Sequence, residues 1–416
     1  MKKQNVSMIV ELLQKGVKIP NPKSVEIGED VLTDRISGKG VTLYSGCKIY
    51  GGSTFIHNDS QLGYEGPVTV QNCQIGPNVE LKGGFFKESV FLAGASMGSG
   101  AHVREGTILE EHANCSHTVG LKQTILFPFV TLGSLINFCD CFMSGGTSRK
   151  NHSEVGSSYI HFNYTPNKDK ATPSLIGNVP NGVMLNQKQI FLGGQGGLVG
   201  PCCLAFGTVI AAGSIYRKDE LRPGRLLLES AARGGSIPFA PGLYQTIKRI
   251  VVNNIAYIAN LSALKQWYMR VRPLFVSDEL PKPLLDGLEH NVNIAIAERV
   301  SRFKELCLNM PESISMYIGS LDGNPIDLLI RQKQELYENC SELESVFYEF
   351  GTVQGDLRLR DSFLENLHSD IHESEEDYIT VIKGLLPENA KTGSRWLQGI
   401  VDSCFNKALC IIPLFR

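Results

Sequence analysis

Three observations predict a parallel β-helix followed by an α-helical C-terminal domain. Leu192, Leu198, Leu204, Ile210 and Tyr216 recur every six residues, with small residues at most positions between them. Glycine is abundant, 42 of 416 residues, and concentrated before residue 240. Past residue 242 the apolar spacing turns helical. A period of six matches neither an isolated helix nor a simple strand; it matches a short strand and a tight turn, repeated, with one aliphatic residue per rung in a shared core. Three rungs close a coil. Each coil buries its face only against its neighbours, so the ladder must extend well upstream.

The first element is a short helix over Ser7 to Gln14, stopped by Gly16 and by the prolines at 20 and 22. Rungs follow at Leu43, Ile49 and Phe55, at Ile75 and Leu81, at Met97, Val103, Leu109 and Cys115, and at Leu126, Leu132 and Phe138. The phase slips near Gly83-Gly84, at His117 to Gly120 and between residues 144 and 190. Such slips are loops leaving the prism, where solenoids place binding residues. Pro223, Gly224, Gly234, Gly235, Pro238, Pro241 and Gly242 read as a linker. Beyond it Leu243, Ile247, Ile250, Val251, Ile255, Ile258 and Leu261 share one helical face, as do Leu285, Leu288, Val292, Ile296, Val300 and Phe303. Further amphipathic runs cover about 326 to 350, 356 to 385 and 394 to 411, broken by Gly351, Pro387 and Gly393. The expected domains are an N-terminal helix and lead-in (1–24), the β-helix (25–220), a Pro/Gly linker (221–242) and a helical domain (243–416), whose partner the sequence does not name.

Composition narrows the function. A net charge of −2 argues against a general polyanion-binding surface, so no nucleic-acid partner is expected. No apolar run reaches membrane-spanning length and the polar N-terminus lacks a signal-peptide core, so the reading is cytoplasmic, without a membrane. The eleven cysteines are scattered and contain no C-x-x-C pair; they read as free thiols, with Cys73, Cys115 and Cys203 as small apolar fillers. No metal is expected.

The chemistry falls in the longest slip, residues 145 to 177. It carries His152, His161, Asn163, Tyr164, Arg149, Lys150, Lys168 and Lys170 just before the most regular coils. Polar groups so dense are costly to bury without partners, which puts them in a surface cleft or at a subunit interface. The histidines offer a general base near pH 7, the amide a substrate contact and the basic residues phosphate contacts. A structural reading stands beside this one: histidines and asparagine capping coils, lysines solvating a loop.

His161-Phe162-Asn163-Tyr164, Lys168 and Lys170, Leu175-Ile176-Gly177, Ile190-Phe191-Leu192-Gly193, Leu198-Val199-Gly200-Pro201 and Ile210-Ala211-Ala212-Gly213 occur in that order. Over residues 156 to 219 the chain thereby resembles the acetyltransferase half of the bifunctional N-acetylglucosamine-1-phosphate uridyltransferase / glucosamine-1-phosphate acetyltransferase family. The resemblance implies a left-handed parallel β-helix, a homotrimer with sites in grooves between subunits, and acetyl-coenzyme A or another acyl-coenzyme A as co-substrate. It makes Asn163 and Tyr164 contacts to a sugar phosphate or nucleotide sugar, Lys168 and Lys170 phosphate contacts, and Gly194 and Ala212 donor contacts. The family's A-G-H-L-T-Y histidine pattern has no match, and Thr165-Pro166 replaces Asp-Gly after the tyrosine, so the base stays open between His152 and His161. The repeats begin almost at once, and the Gly193–Gly197 cluster lacks the basic residue of a nucleotide loop; no uridyltransferase domain or nucleotidyl transfer is expected. One alternative is a non-catalytic nucleotide-sugar-binding or scaffold protein. A lesser one is a γ-carbonic-anhydrase-like site at His102, His112 and His117.

Overall fold

A computed structural model of the chain describes residues 3–229, 236, 239–319, 327–374 and 376–416. It contains a parallel β-solenoid of about 11 turns followed by a helical region.

Each coil visits three sheets in turn. Sheet 1 has ten strands, from Glu26–Ile27 to Ile215–Tyr216; sheet 2 has eight, from Phe55–Ile56 to Cys203–Leu204; sheet 3 has ten, from Thr42–Leu43 to Leu226–Leu227. Met97, Cys115 and Leu132 stack in sheet 3, and Leu192 and Ile210 continue the column. Val103 pairs with Leu121 and Leu121 with Phe138 in sheet 1, while Leu198 pairs with Tyr216. All of these face inward and are buried. The six-residue ladder is therefore the solenoid core. Near the start it is one residue off: Phe55 is half-exposed and its neighbour Ile56 is the buried one. The last coil runs on to Leu226–Leu227, inside the stretch read as linker. Of the linker residues, Gly234, Gly235 and Pro238 lie outside the described residues.

The N-terminal helix, α1 (Lys3–Lys15), closes the first coil. Its Asn5 accepts from the Ile27 N–H at 2.7 Å and donates to the Val25 carbonyl, and Ile9 and Leu12 are buried beneath it. A four-residue helix, α2 (Val179–Gly182), lies in the largest excursion. The C-terminal region comprises α3 (Lys248–Arg270), α4 (Lys282–Leu308), α5 (Met310–Gly319), α6 (Asp327–Glu338), α7 (Cys340–Phe350), α8 (Leu357–Ser374), α9 (Tyr378–Gly384) and α10 (Pro387–Ile411). Pro387 falls at the break between α9 and α10 and opens α10, because the first helical position needs no N–H donor. Gly393 lies within α10, where a Cβ would come within 2.6 Å of Met184 and 2.7 Å of Phe363; glycine permits that close approach.

Helices α3 and α4 pack on the outer face of sheet 2, and the two regions share one continuous core. Sheet 2 is thus covered on both sides: Val90, Ile108, Ile125 and Phe142 point outward from the coil yet are fully buried. Its strands accordingly read as unbroken runs, Ser89–Phe91, Thr107–Leu109 and Cys141–Met143, whereas strands of sheets 1 and 3 alternate. Sheets 1 and 3 keep a solvent face. Among the described residues no helix is long and apolar enough to cross a membrane.

Candidate functional site

Two excursions interrupt the solenoid between residues 144 and 190. The first leaves at the corner between sheets 2 and 3 as an antiparallel hairpin, Gly146–Ser148 with Asn151–His152. Arg149 at its tip reaches back along the corner, donating to the His112 carbonyl at 2.9 Å and to the Thr131 hydroxyl at 3.3 Å. His152 ends the hairpin. Its Nδ1 lies 2.9 Å from the Arg149 carbonyl, which can only accept, so Nδ1 carries a proton and any lone pair of the ring is on Nε2. The Glu154 carboxylate stands 3.5 Å from Nε2, placed to pair with the ring once it is protonated. Both side chains border a groove of about 570 Å³ lined also by Lys150, Lys188, Phe191 and Val209. Phe191 and Val209 expose an apolar strip on sheet 3; the two lysines are exposed beside it.

His161 is placed differently. It stands on sheet 1 one rung after Phe138 and pairs in register with Leu198, so its ring points into the solenoid and is 1% exposed. Nδ1 donates to the Cys139 carbonyl at 2.7 Å, and Nε2 accepts from the Ser174 hydroxyl at 2.8 Å, which in turn accepts from the Cys202 N–H. Both nitrogens are thus engaged, and burial pushes the imidazole down to about 4. In this position it is a neutral core group at pH 7.

Asn163 to Lys170 occupy the corner between sheets 1 and 2. Asn163 is half-buried and its Nδ2 donates to Asp140 at 2.5 Å. Tyr164 is 58% exposed, Lys168 is exposed in a left-handed conformation, and Lys170 is half-buried. The helical region grips this loop: the Tyr244 hydroxyl donates to Asp169 at 2.6 Å, the Gly242 N–H to Asn167 at 2.9 Å, and Asn254 to the Ala171 carbonyl at 2.9 Å.

Gly194 and Ala212 share the third corner, between sheets 3 and 1, where the Gly213 N–H bonds the Gly194 carbonyl at 2.9 Å. Stacking is tight here, since a Cβ on Gly193 would lie 2.3 Å from the Ala212 nitrogen. The candidate base, the acceptor loop and the donor turn therefore lie on three different corners of one prism. One chain does not bring them together.

Sequence reading missed Glu154, Lys188, Phe191, Asp140 and Arg299 as neighbours of these groups. Glu154 and Lys188 lie within or just beyond the polar slip and were within reach of it. Arg299 pairs with Asp140 across 159 positions, which no local pattern reveals.

The histidines of the carbonic-anhydrase alternative have other neighbours: His102 stacks on Phe85, His112 on Phe129, and His117 bonds Ser134. Among the described residues no group of three or more His, Cys, Asp and Glu side chains is arranged to hold a metal ion. The cysteines are free, with Cys73 and Cys115 buried and Cys203 half-buried.

The solenoid with polar excursions at its corners is the architecture of hexapeptide-repeat proteins. No family model matches the chain. Its similarities are to the bifunctional protein GlmU: 28% identity over 221 residues with that of Thermotoga maritima, 26% over 210 with that of Pelobacter propionicus, and 25% over 241 with that of Nitratidesulfovibrio vulgaris strain DP4. These matches cover 51%, 50% and 56% of this chain but only 42%, 40% and 46% of the relatives. Together with the solenoid, they fit the hexapeptide-repeat acetyltransferase half of GlmU. The chain spans under half the length of these relatives.

Proposed function

We propose that the protein transfers an acyl group from acyl-coenzyme A to a sugar phosphate or nucleotide sugar, in grooves formed between the subunits of a homotrimer. The observation that carries the reading is His152: a histidine with its Nδ1 proton held by a backbone carbonyl and its Nε2 beside a carboxylate, at the edge of a groove.

The groove suits the donor class. Lys150 and Lys188 would face its phosphates, and the Phe191–Val209 strip its thiol-bearing arm. Gly194 and Ala212 lie at the far corner of the same sheet and would hold the donor through their backbone. In transfer, the acceptor's amine or hydroxyl attacks the thioester carbon while His152 Nε2 takes its proton. Glu154 then pairs with the imidazolium, and the thiolate leaves with a proton returned from it. Asn163 and Tyr164 would orient the acceptor, with Arg149, Lys168 and Lys170 at its phosphate. Because these groups occupy separate corners, the site needs corners from neighbouring chains, and sheets 1 and 3 are the faces free to meet them. A sugar phosphate is the acceptor class that the basic loop and the family resemblance support.

The test is release of free thiol from acetyl-coenzyme A by the full chain, with glucosamine 1-phosphate and UDP-sugars as acceptors, alongside calorimetry of each ligand. Thiol release that depends on one acceptor supports the proposal. No heat with acetyl-coenzyme A while a nucleotide sugar binds overturns it and supports the non-catalytic reading, which the missing A-G-H-L-T-Y pattern favours.

A further inference from the structure

The contact between the helical region and the Asn163 loop is built around one buried ion pair. Arg299 projects from α4 into the sheet 1–sheet 2 corner and is 1% exposed; Asp140, on the coil, is 3% exposed. The guanidinium donates to Asp140 Oδ1 at 2.6 Å and, through its other terminal nitrogen, to the Lys170 carbonyl at 3.2 Å. Asp140 Oδ2 accepts from Asn163 Nδ2 at 2.5 Å. One guanidinium thus fixes both ends of the loop, Lys170 directly and Asn163 through Asp140.

The chemistry of this chain sets a direction. A carboxylate facing a guanidinium is an acceptor only, so the group Asn163 turns toward it must be its NH2. Among the described residues the amide oxygen then has no hydrogen-bond partner, and it is not among the buried unpaired atoms. Without the charge pair the carboxamide would be free to present either end.

We propose that Arg299 and Asp140 are positioning residues through which the helical region fixes the Asn163 carboxamide with its oxygen toward the ligand, so that the acceptor is recognised by an O–H or N–H group donated to Asn163. A sugar hydroxyl or amino group meets that requirement. The inference rests on the acceptor-binding part of the function proposed above, not on acyl transfer.

The experiment is a binding cycle on the full chain, with glucosamine 1-phosphate and UDP-N-acetylglucosamine as probes read by calorimetry. Asn163→Ala removes the contact at a half-buried site. The paired change Asp140→Asn with Arg299→Met removes both charges while keeping similar volumes, so neither is left buried alone. Melting temperatures check that each variant folds; if the paired variant does not, Arg299→Lys, which keeps the charge but loses the two-pronged geometry, takes its place. The expected result is that the charge-pair variant weakens binding about tenfold when residue 163 is asparagine and leaves it unchanged when residue 163 is alanine. Equal losses in both backgrounds, no loss in either, or no binding of either probe by the wild-type chain overturns the inference. Binding coupled in this way, but with no thiol release from acetyl-coenzyme A, overturns the transferase reading and leaves this one standing.

Discussion

His161 offers a quantitative test because its ring is a titratable group in the solenoid core. Burial lowers its pKa from an ordinary 6.5 to about 4. As pH falls, the unfolded chain takes up the proton first, so this contribution is complete above pH 6.5 and is lost progressively down to about pH 4. The gap corresponds to about 3 kcal/mol. His161→Leu places an aliphatic side chain beside Leu198 and removes the titration, at the cost of stranding the Ser174 hydroxyl and the Cys139 carbonyl. That loss is about 1–3 kcal/mol at pH 7. The variant should therefore be less stable than wild type at neutral pH, and the difference should shrink toward zero near pH 4.5. Glu110, which burial pushes up to about 7, titrates with the opposite sign: its contribution is lost as pH rises. It is common to both proteins and cancels in the comparison. Equilibrium denaturation followed by far-UV circular dichroism from pH 4.5 to 7.5 measures the difference. Wild-type and variant curves that run parallel would refute the buried, neutral histidine.

Other consequences follow from single contacts. Arg272 is fully buried between Glu111 and the Tyr378 ring, with its guanidinium carbon 3.8 Å from the ring centre, so Arg272→Ala leaves Glu111 buried without its cation and should cost about 3–5 kcal/mol, read as a lowered unfolding midpoint. Gly393→Val would drive side-chain atoms into Met184 and Phe363, destabilising the seam between α10 and the excursion by about 1–3 kcal/mol in the same assay. Lys188→Ala should raise the KM for acyl-coenzyme A several-fold while leaving kcat and acceptor affinity near wild type, because Lys188 borders the groove and, among the described residues, no hydrogen bond or ion pair joins it to His152 or the Asn163 loop.

The solenoid was legible because its core repeats. Leu192 to Tyr216 are spaced by six, and every one is buried in register. Legibility fails where a coil changes length. Near the start, Phe55 takes the expected position and Ile56 the core. At His161 the hairpin adds a whole rung, so Val155 and His161 are still six apart, but a histidine among polar neighbours looked like a site residue rather than an inward rung. The adjacent apolar pairs Val90-Phe91, Ile108-Leu109 and Phe142-Met143 did carry a signal: a solvent-facing strand alternates, so two neighbouring apolar residues in each mark the face that the helices cover. The Arg299–Asp140–Asn163 chain left no local trace. Its members come from the helical region, a coil corner and a loop, and only the packing of α4 on sheet 2 brings them together. Similarly, Gly393 reads as a break by propensity, yet it lies inside α10, where it permits a close approach.

In the function proposed above, each site combines His152 from one chain with Asn163 from another. The most direct measurement is complementation between two inactive variants, His152→Gln and Asn163→Ala, co-expressed in equal amounts and assayed for thiol release from acetyl-coenzyme A. If the two residues of each site come from different subunits, random mixing restores about a quarter of the wild-type sites, and activity should recover to that level. Mixed assemblies as inactive as either variant alone, with the wild type active under the same conditions, would contradict a site shared between chains.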